Sequence, residues 1–247
     1  MKKEIVKKIL AETEAGYDLV AGKFSGTRKN FWIDLEFIQE YVQAGDTVLD
    51  FGCGNGRLLE IFKEKKIKYF GVDVSQKLID LARVKYPEHA VDFQKISGYG
   101  SLALEDNFFN AVYSIAVFHH IPGEKRRKEL ARELFRVTQP GGYVVVTVWN
   151  LWREKYQKNI RQNRWRKFFG LSRLGWNDCL ISFKNNEGPA STRGNDSSST
   201  RGGEIFQRYH HAWTKKELEK VFSKAGFLVE KCEVVGGNIL LIGRREK

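Results

Sequence analysis

VLDFGCGNGR, residues 48–57, carries a short apolar stretch into Gly52, Gly54 and Gly56 and then into a helical pattern. Glycines at a strand-to-helix turn let a ligand approach the backbone, and the amides that open the helix face it. Asp50 stands just before the loop, and Asp73 closes the next apolar run, YFGVDV, ahead of Val74. An acidic group at that strand tip can accept hydrogen bonds from both hydroxyls of a ribose. With Asn55 in the loop and Ile115 at the end of the fourth run, these residues make a candidate nucleoside-cofactor site. A dinucleotide fingerprint fits less well, because Arg57 occupies the place of the last glycine in GxGxxG.

Two histidine pairs are the other candidates. His119-His120 follow Ile115 in IAVFHHI, on the side of the sheet where ligands bind, and His210-His211 lie in EIFQRYHHAW. Neighbours on a strand point to opposite faces, so His119 and His120 are not expected to share a metal ion. One is expected to be structural and the other to line the pocket mouth, and no metal is expected. Cys53, Cys179 and Cys232 have no paired spacing, which argues against a disulfide framework or a zinc knuckle.

The elements that must hold these residues follow from periodicity. TVLDFG, KYFGVDV, VDFQKI, FNAVYSIAVF and GYVVVTVW are apolar runs separated mostly by helical patterns, for example at 57–65, 76–85 and 124–137. Such alternation marks an α/β, Rossmann-like, mostly parallel sheet. GFLVEKCEVVGGNILLIGRR ends the chain as two strands joined around Gly236-Gly237, an antiparallel hairpin. Residues 31–43 carry apolar side chains at helical spacing. The expected organisation is a single domain: an N-terminal helical lid (1–44), a cofactor-binding core (45–150), a basic insertion (151–207) with a low-complexity loop at 184–203, and a C-terminal helix and hairpin (208–247).

Lysine and arginine number 42 against 30 acidic residues, leaving +12, which favours a polyanionic partner. Seven basic residues and one acidic residue between 151 and 168 are interleaved with Trp152, Tyr156, Trp165 and Phe168, a composition suited to gripping RNA. The basic N-terminus lacks a signal peptide's apolar core, and no run approaches the roughly 18 apolar residues of a membrane span. A cytoplasmic monomer with no membrane association is therefore expected.

Three stretches carry a family resemblance. LDFGCGNG resembles the first motif of the class I S-adenosylmethionine-dependent methyltransferases, over residues 45–150. YDLVAGKFSGTRKNFW (17–32), with Phe24, Ser25, Thr27, Arg28 and Trp32, and RYHHAWTKKELEKVFSKAGF (208–227) resemble segments of the tRNA wobble-uridine methyltransferases that esterify 5-carboxymethyluridine. GWNDCLISF (175–183) is similar to a third element of that family. The resemblance implies a seven-stranded sheet, S-adenosyl-L-methionine as methyl donor, tRNA as substrate and a small activating protein as a further partner. Arg28 and Arg208 then become candidates for clamping the acceptor carboxylate or a phosphate, since a guanidinium pairs with either bidentately. Tyr209 and His210 are expected to line the mouth, with Trp149 and Asn150 at its edge. Ser97 falls where many such enzymes hold adenine with an acidic residue, and Asn110 where aspartate is common. A small-molecule methyltransferase or a non-catalytic RNA-binding scaffold remain the alternatives.

Overall fold

A computed structural model describes residues 1–28, 30–87, 90–98, 100, 102–184 and 204–247. The low-complexity stretch at 185–203 lies outside them. Along the chain run α1 (Lys3–Gly26), β1 (Thr47–Phe51), β2 (Lys68–Asp73), α2 (Gln76–Lys85), β3 (Val91–Lys95), β4 (Phe109–Ile115), α3 (Glu124–Val137), β5 (Thr138–Trp149) and α4 (Glu154–Phe168). They are followed by β6 (Asp178–Lys184), β7 (Glu204–His211), α5 (Lys215–Ala225), β8 (Leu228–Val235) and β9 (Asn238–Arg244).

Seven strands form one sheet in the order β3-β2-β1-β4-β5-β9-β8. β1 to β5 are mutually parallel, while β9 runs antiparallel to both β5 and β8. The central strands are apolar on both faces because both are covered. Leu49, Val112 and Val146 pack toward Leu130 and Leu134 of α3 and Phe222 of α5. Val48, Tyr113 and Val145 pack on the other side against Ile79 of α2 and Leu35 and Ile38. The strand order reverses between β1 and β4, and such a switch opens a crevice at the carboxyl ends of the strands.

The helix expected over 31–43 is a 3-10 helix, Ile33–Tyr41, with Leu35 N–H bonded to the Trp32 carbonyl at 2.9 Å. Leu35 and Ile38 are buried, but apolar spacing does not separate i+3 from i+4 hydrogen bonding in so short a segment. β6 and β7 form a second, two-stranded antiparallel sheet. It rests on α4 through Cys179, Ile160, Leu151 and Ala212. β7 spans the 207/208 boundary, so the insertion and the C-terminal part share a strand.

Asn110, a departure noted in the sequence, has a structural role. Its Oδ1 accepts from the Thr47 amide at 2.8 Å, where β1 begins, at the end of the sheet away from the crevice. Among the described residues no helix is long and apolar enough to cross a membrane.

Candidate active site

The crevice is a cavity lined by the ends of β1, β2 and β4, with α1 and β7 closing it from above. Gly52 and Gly54 with Asn55 form its floor beside Asp50 and Asp73. Gly52 has φ +80°, and a Cβ there would lie 2.3 Å from a Val117 methyl carbon. Only glycine lets this turn pass beneath the wall.

Asp73 is held by the backbone: Oδ2 accepts from Gly54 N–H and Oδ1 from Ser75 N–H, both at 2.9 Å. Ser75, not Asp73, caps α2, since its Oγ accepts from the Leu78 amide. Asp73 therefore keeps lone pairs for a ligand. Burial raises its pKa and those amides oppose the rise. Asp50 accepts from the Tyr69 hydroxyl at 2.5 Å. Burial pushes Asp50 up to about 7, with the Tyr69 bond pulling it down and Asp73 adding repulsion. Two buried carboxylates side by side suit a cationic ligand.

That raised pKa has a measurable consequence. About 7 lies above the ordinary 3.8, so the folded protein holds an extra proton and loses stability relative to the unfolded chain as pH rises through this window. Asp50→Asn, neutral throughout, is expected to exceed the wild type in stability at pH 8 by on the order of 3 kcal/mol. The gap should close below about pH 4; urea unfolding at both pH values checks it.

Val74, Ile96 and Ile115 line the same cavity, but Ser97 does not. Ser97 is exposed, and the neighbouring Ile96 is the residue that faces the cavity. Gly56 is also absent from the lining. It has φ +73°, and a Cβ would sit 2.8 Å from Phe93 and 3.0 Å from Tyr86, so packing beneath the loop explains the glycine. Gly56→Val is expected to destabilise the protein by about 2 kcal/mol or more, read as a lower urea midpoint.

The end of α1 and the segment after it supply the opposite wall. Phe24, Arg28, Phe31 and Trp32 line the cavity. Asn55 ties this segment down, donating to Ser25 Oγ at 3.0 Å and to the Arg28 carbonyl at 3.3 Å. Arg57 lies over the Trp32 ring at 3.9 Å, and burial brings its pKa to about 10. Arg28 is lowered by burial and by repulsion from Arg208.

Arg208 enters from β7 between the rings of Trp149 and Phe183, at 5.3 and 5.2 Å. It is buried, lines the cavity and makes no ion pair with a carboxylate among the described residues. Beside it, Tyr17 contributes a hydroxyl 2.9 Å from His120 Nε2. Burial raises the Tyr17 pKa, against the positive charge of Arg208. Tyr17 was not singled out in the sequence. It opens the YDLVAGKFSG segment, but position in a motif gives no sign that an α1 residue reaches over the cavity.

Strand alternation corrects the roles expected for Tyr209 and His210. Tyr209 points away from the Arg208 face, is 2% exposed, and lies beside Asp178 and Arg127. His210 shares the face of Arg208 but is fully buried behind the wall, stacked on His119 with centroids 5.2 Å apart. Neither lines the cavity. His119 and His120 both do, because they stand on a 3-10 turn (Phe118–His120) rather than on the strand, which cancels the opposite-face argument. Ala116, with φ +61°, begins that reversal.

The three imidazoles have ligand nitrogens within 4.8 Å of one another, but their hydrogen bonds do not suit a metal. His119 Nδ1 accepts from the Trp149 amide at 3.2 Å, so its Nε2 carries the proton. His120 Nδ1 donates to the Tyr209 carbonyl at 2.9 Å, leaving Nε2 to accept from Tyr17. His210 Nδ1 donates to the Arg208 carbonyl at 3.0 Å. Burial lowers all three, His120 to about 3, and Arg208 adds repulsion. They are neutral, and neither cavity-lining histidine offers a free basic nitrogen.

Residues 49–146 match a family model described as a methyltransferase domain. Those residues carry a methyltransferase domain. Over 225 residues it is 28% identical to the tRNA (carboxymethyluridine(34)-5-O)-methyltransferase of Schizosaccharomyces pombe, covering 85% of this chain and 86% of that protein. It is 38% identical over 133 residues to the Arabidopsis thaliana protein of the same name, covering 54% of this chain and 31% of the relative. The chain thus spans about a third of that plant relative, and 22% of the Xenopus tropicalis one. Among solved structures, a methyltransferase from Methanosarcina mazei superposes with TM-score 0.66 at 19% identity, covering 88% of this chain and 99% of that one. A Haloferax volcanii methyltransferase in complex with the Trm112 activator gives 0.61 at 17% identity, covering 94% and 98%. At those identities the likeness shows the fold alone. The methyltransferase domain accounts for the crevice, and its glycine loop and two acidic groups fit a cationic nucleoside cofactor.

Proposed function

We propose that the protein transfers a methyl group from S-adenosyl-L-methionine to the carboxylate of 5-carboxymethyluridine at the tRNA wobble position, forming the methyl ester. The observation that carries this reading is the pair of guanidiniums, Arg28 and Arg208, sharing one cavity with Asp73 and lacking a carboxylate partner among the described residues. Two like charges held together in a partly buried site call for an anion between them. The cofactor supplies an electrophilic methyl on a sulfonium, and Asp73, Asp50, Asn55 and the glycine loop would hold it.

The chemistry asked of the chain is modest. An acceptor carboxylate with an ordinary pKa near about 4 is ionised at neutral pH and needs no base. That matches the neutral histidines, whose cavity-facing nitrogens are protonated or already bonded. Arg208 fixes the carboxylate, Tyr17 braces Arg208, and Phe24, Phe31 and Trp32 exclude water, so one oxygen is aimed at the methyl carbon. In this reading residues 1–44 act as the lid, 45–150 hold the cofactor, 151–207 meet the RNA, and 208–247 return Arg208 to the cavity and complete the sheet. A small activating protein belongs to the same proposal, supported by the activator bound to the Haloferax neighbour.

Competition between acceptors tests the carboxylate claim. tRNA carrying carboxymethyluridine should accept label from the cofactor, the label should be released by mild alkali as methanol, and tRNA carrying the corresponding amide should accept none. Alkali-stable label, or equal labelling of the amide, would remove the ester assignment.

A further inference from the structure

We propose that the end of α4 and the turn after it form a stacking platform for unpaired bases of an RNA, separate from the catalytic cavity. Trp165, Phe168, Phe169, Leu171 and Trp176 are between 56 and 72% exposed. Trp165 stacks on Phe169 at 6.0 Å with planes 15° apart, and Phe168 meets Phe169 edge-on at 5.3 Å. So much clustered aromatic surface is unusual on a soluble protein and marks an interaction site.

The exposure is built into the fold. Lys167 Nζ donates to the Leu174 carbonyl at 2.6 Å, and Asn163 Nδ2 to the Gly175 carbonyl at 2.8 Å. Arg164 reaches Asn177 Oδ1 at 2.8 Å, and Ser172 Oγ bonds Asn163 Oδ1 at 2.5 Å. These bonds fold residues 170–177 back on α4 and hold Trp176 outward, with Lys167 5.7 Å from its ring centroid. The aromatic side chains at the start of α4 do the opposite: Trp152, just before the helix, and Tyr156, in its first turn, pack toward Leu151 and Cys179. The helix is thus divided into an anchored half and a presented half.

Charge decides the occupant. Between 153 and 176 lie eight basic residues and one acidic residue, and Arg166 and Arg173 make no ion pair among the described residues. A hydrophobic protein partner or a second copy of this +12 chain would have to overcome that field. A single-stranded polyanion with flat rings satisfies both features, phosphates on the arginines and bases on the aromatic faces. The inference rests on RNA being the substrate, and assigns the part of the surface that engages its unpaired nucleotides.

The test uses the full-length protein, with Trp165→Ala/Phe169→Ala and Trp176→Ala as variants. Binding of an eight-nucleotide oligouridine is read by quenching of tryptophan fluorescence, beside a duplex RNA of equal charge. Methylation of tRNA is then followed for KM and kcat, and cofactor binding is measured as a check on the fold. The platform predicts tight quenching by oligouridine and weak quenching by duplex, an affinity loss of about tenfold or more in the double variant, and a tRNA KM raised in step with kcat and cofactor affinity kept. Wild-type KM in both variants, with the wild type methylating tRNA, overturns the platform while leaving the function standing. A double variant that turns a dimer into a monomer without changing RNA binding identifies the face as a self-association surface and also overturns it. Oligouridine binding lost in the variants, from a wild type that methylates no tRNA, supports the platform and removes the proposed reaction instead.

Discussion

Arg208→Ala should lower kcat on the carboxylate acceptor by about two to three orders of magnitude, the range seen when one preorganised charge-stabilising donor is removed from an active site. The reason is geometric as well as electrostatic. Arg208 is clasped between Trp149 and Phe183, shares the cavity wall with Tyr17, and is rooted in a strand whose pairing to β6 fixes its direction. Arg208→Lys should recover little, because a lysine ammonium cannot form the planar fork or stack between two rings. Cofactor affinity should be unchanged in both variants, which separates loss of the acceptor site from collapse of the cavity. Steady-state kinetics beside calorimetric cofactor titration provide both readings. An Arg208→Lys protein with near-normal turnover would mean that the carboxylate is held elsewhere.

Asp73→Ala is expected to weaken cofactor binding by about a hundredfold or more. Two effects add. The ribose loses its acceptor, and the Gly54 and Ser75 amides lose the carboxylate oxygens they now share at 2.9 Å. An unsatisfied buried amide costs about 1–3 kcal/mol, so the glycine loop should also lose order. Asp73→Asn separates the contributions. Its single carbonyl oxygen can satisfy one amide while the NH2 group faces the other, so it should bind cofactor as poorly as alanine while unfolding at a lower denaturant concentration than the wild type. Calorimetric titration and urea melts of the two variants check this.

The core was legible because the sheet strands carry apolar runs separated by helical patterns, with β1 and β2 ended by Gly52 and Asp73, and because Gly236-Gly237 announces a tight reversal between β8 and β9. Asp73, Asn55, Arg28 and Arg208 could be nominated from spacing and resemblance, and the fold brings them to one cavity. What spacing did not carry was direction. Tyr209 and His210 adjoin Arg208 in sequence, yet the pairing of β7 with β6 sends one to the far face and buries the other. Adjacent positions on a strand would send His119 and His120 to opposite faces, whereas the left-handed turn at Ala116 puts both on the cavity wall. Gly56 looks like a loop glycine, but its need comes from Phe93 and Tyr86, distant in sequence. Tyr17 was hidden because a polar tip on a long helix gives no sign of what packs beneath it.

The central claim is that the anion held by Arg28 and Arg208 is the carboxylate of a tRNA nucleoside. The most direct measurement incubates the protein, with and without an activator of the Trm112 type, with labelled S-adenosyl-L-methionine and tRNA from cells lacking their own wobble esterase, followed by nucleoside mass spectrometry. The account predicts label in the methyl ester of carboxymethyluridine, lost in Arg208→Ala and Asp73→Ala proteins. Label on a different nucleoside, or no label from a protein that binds cofactor, would contradict it.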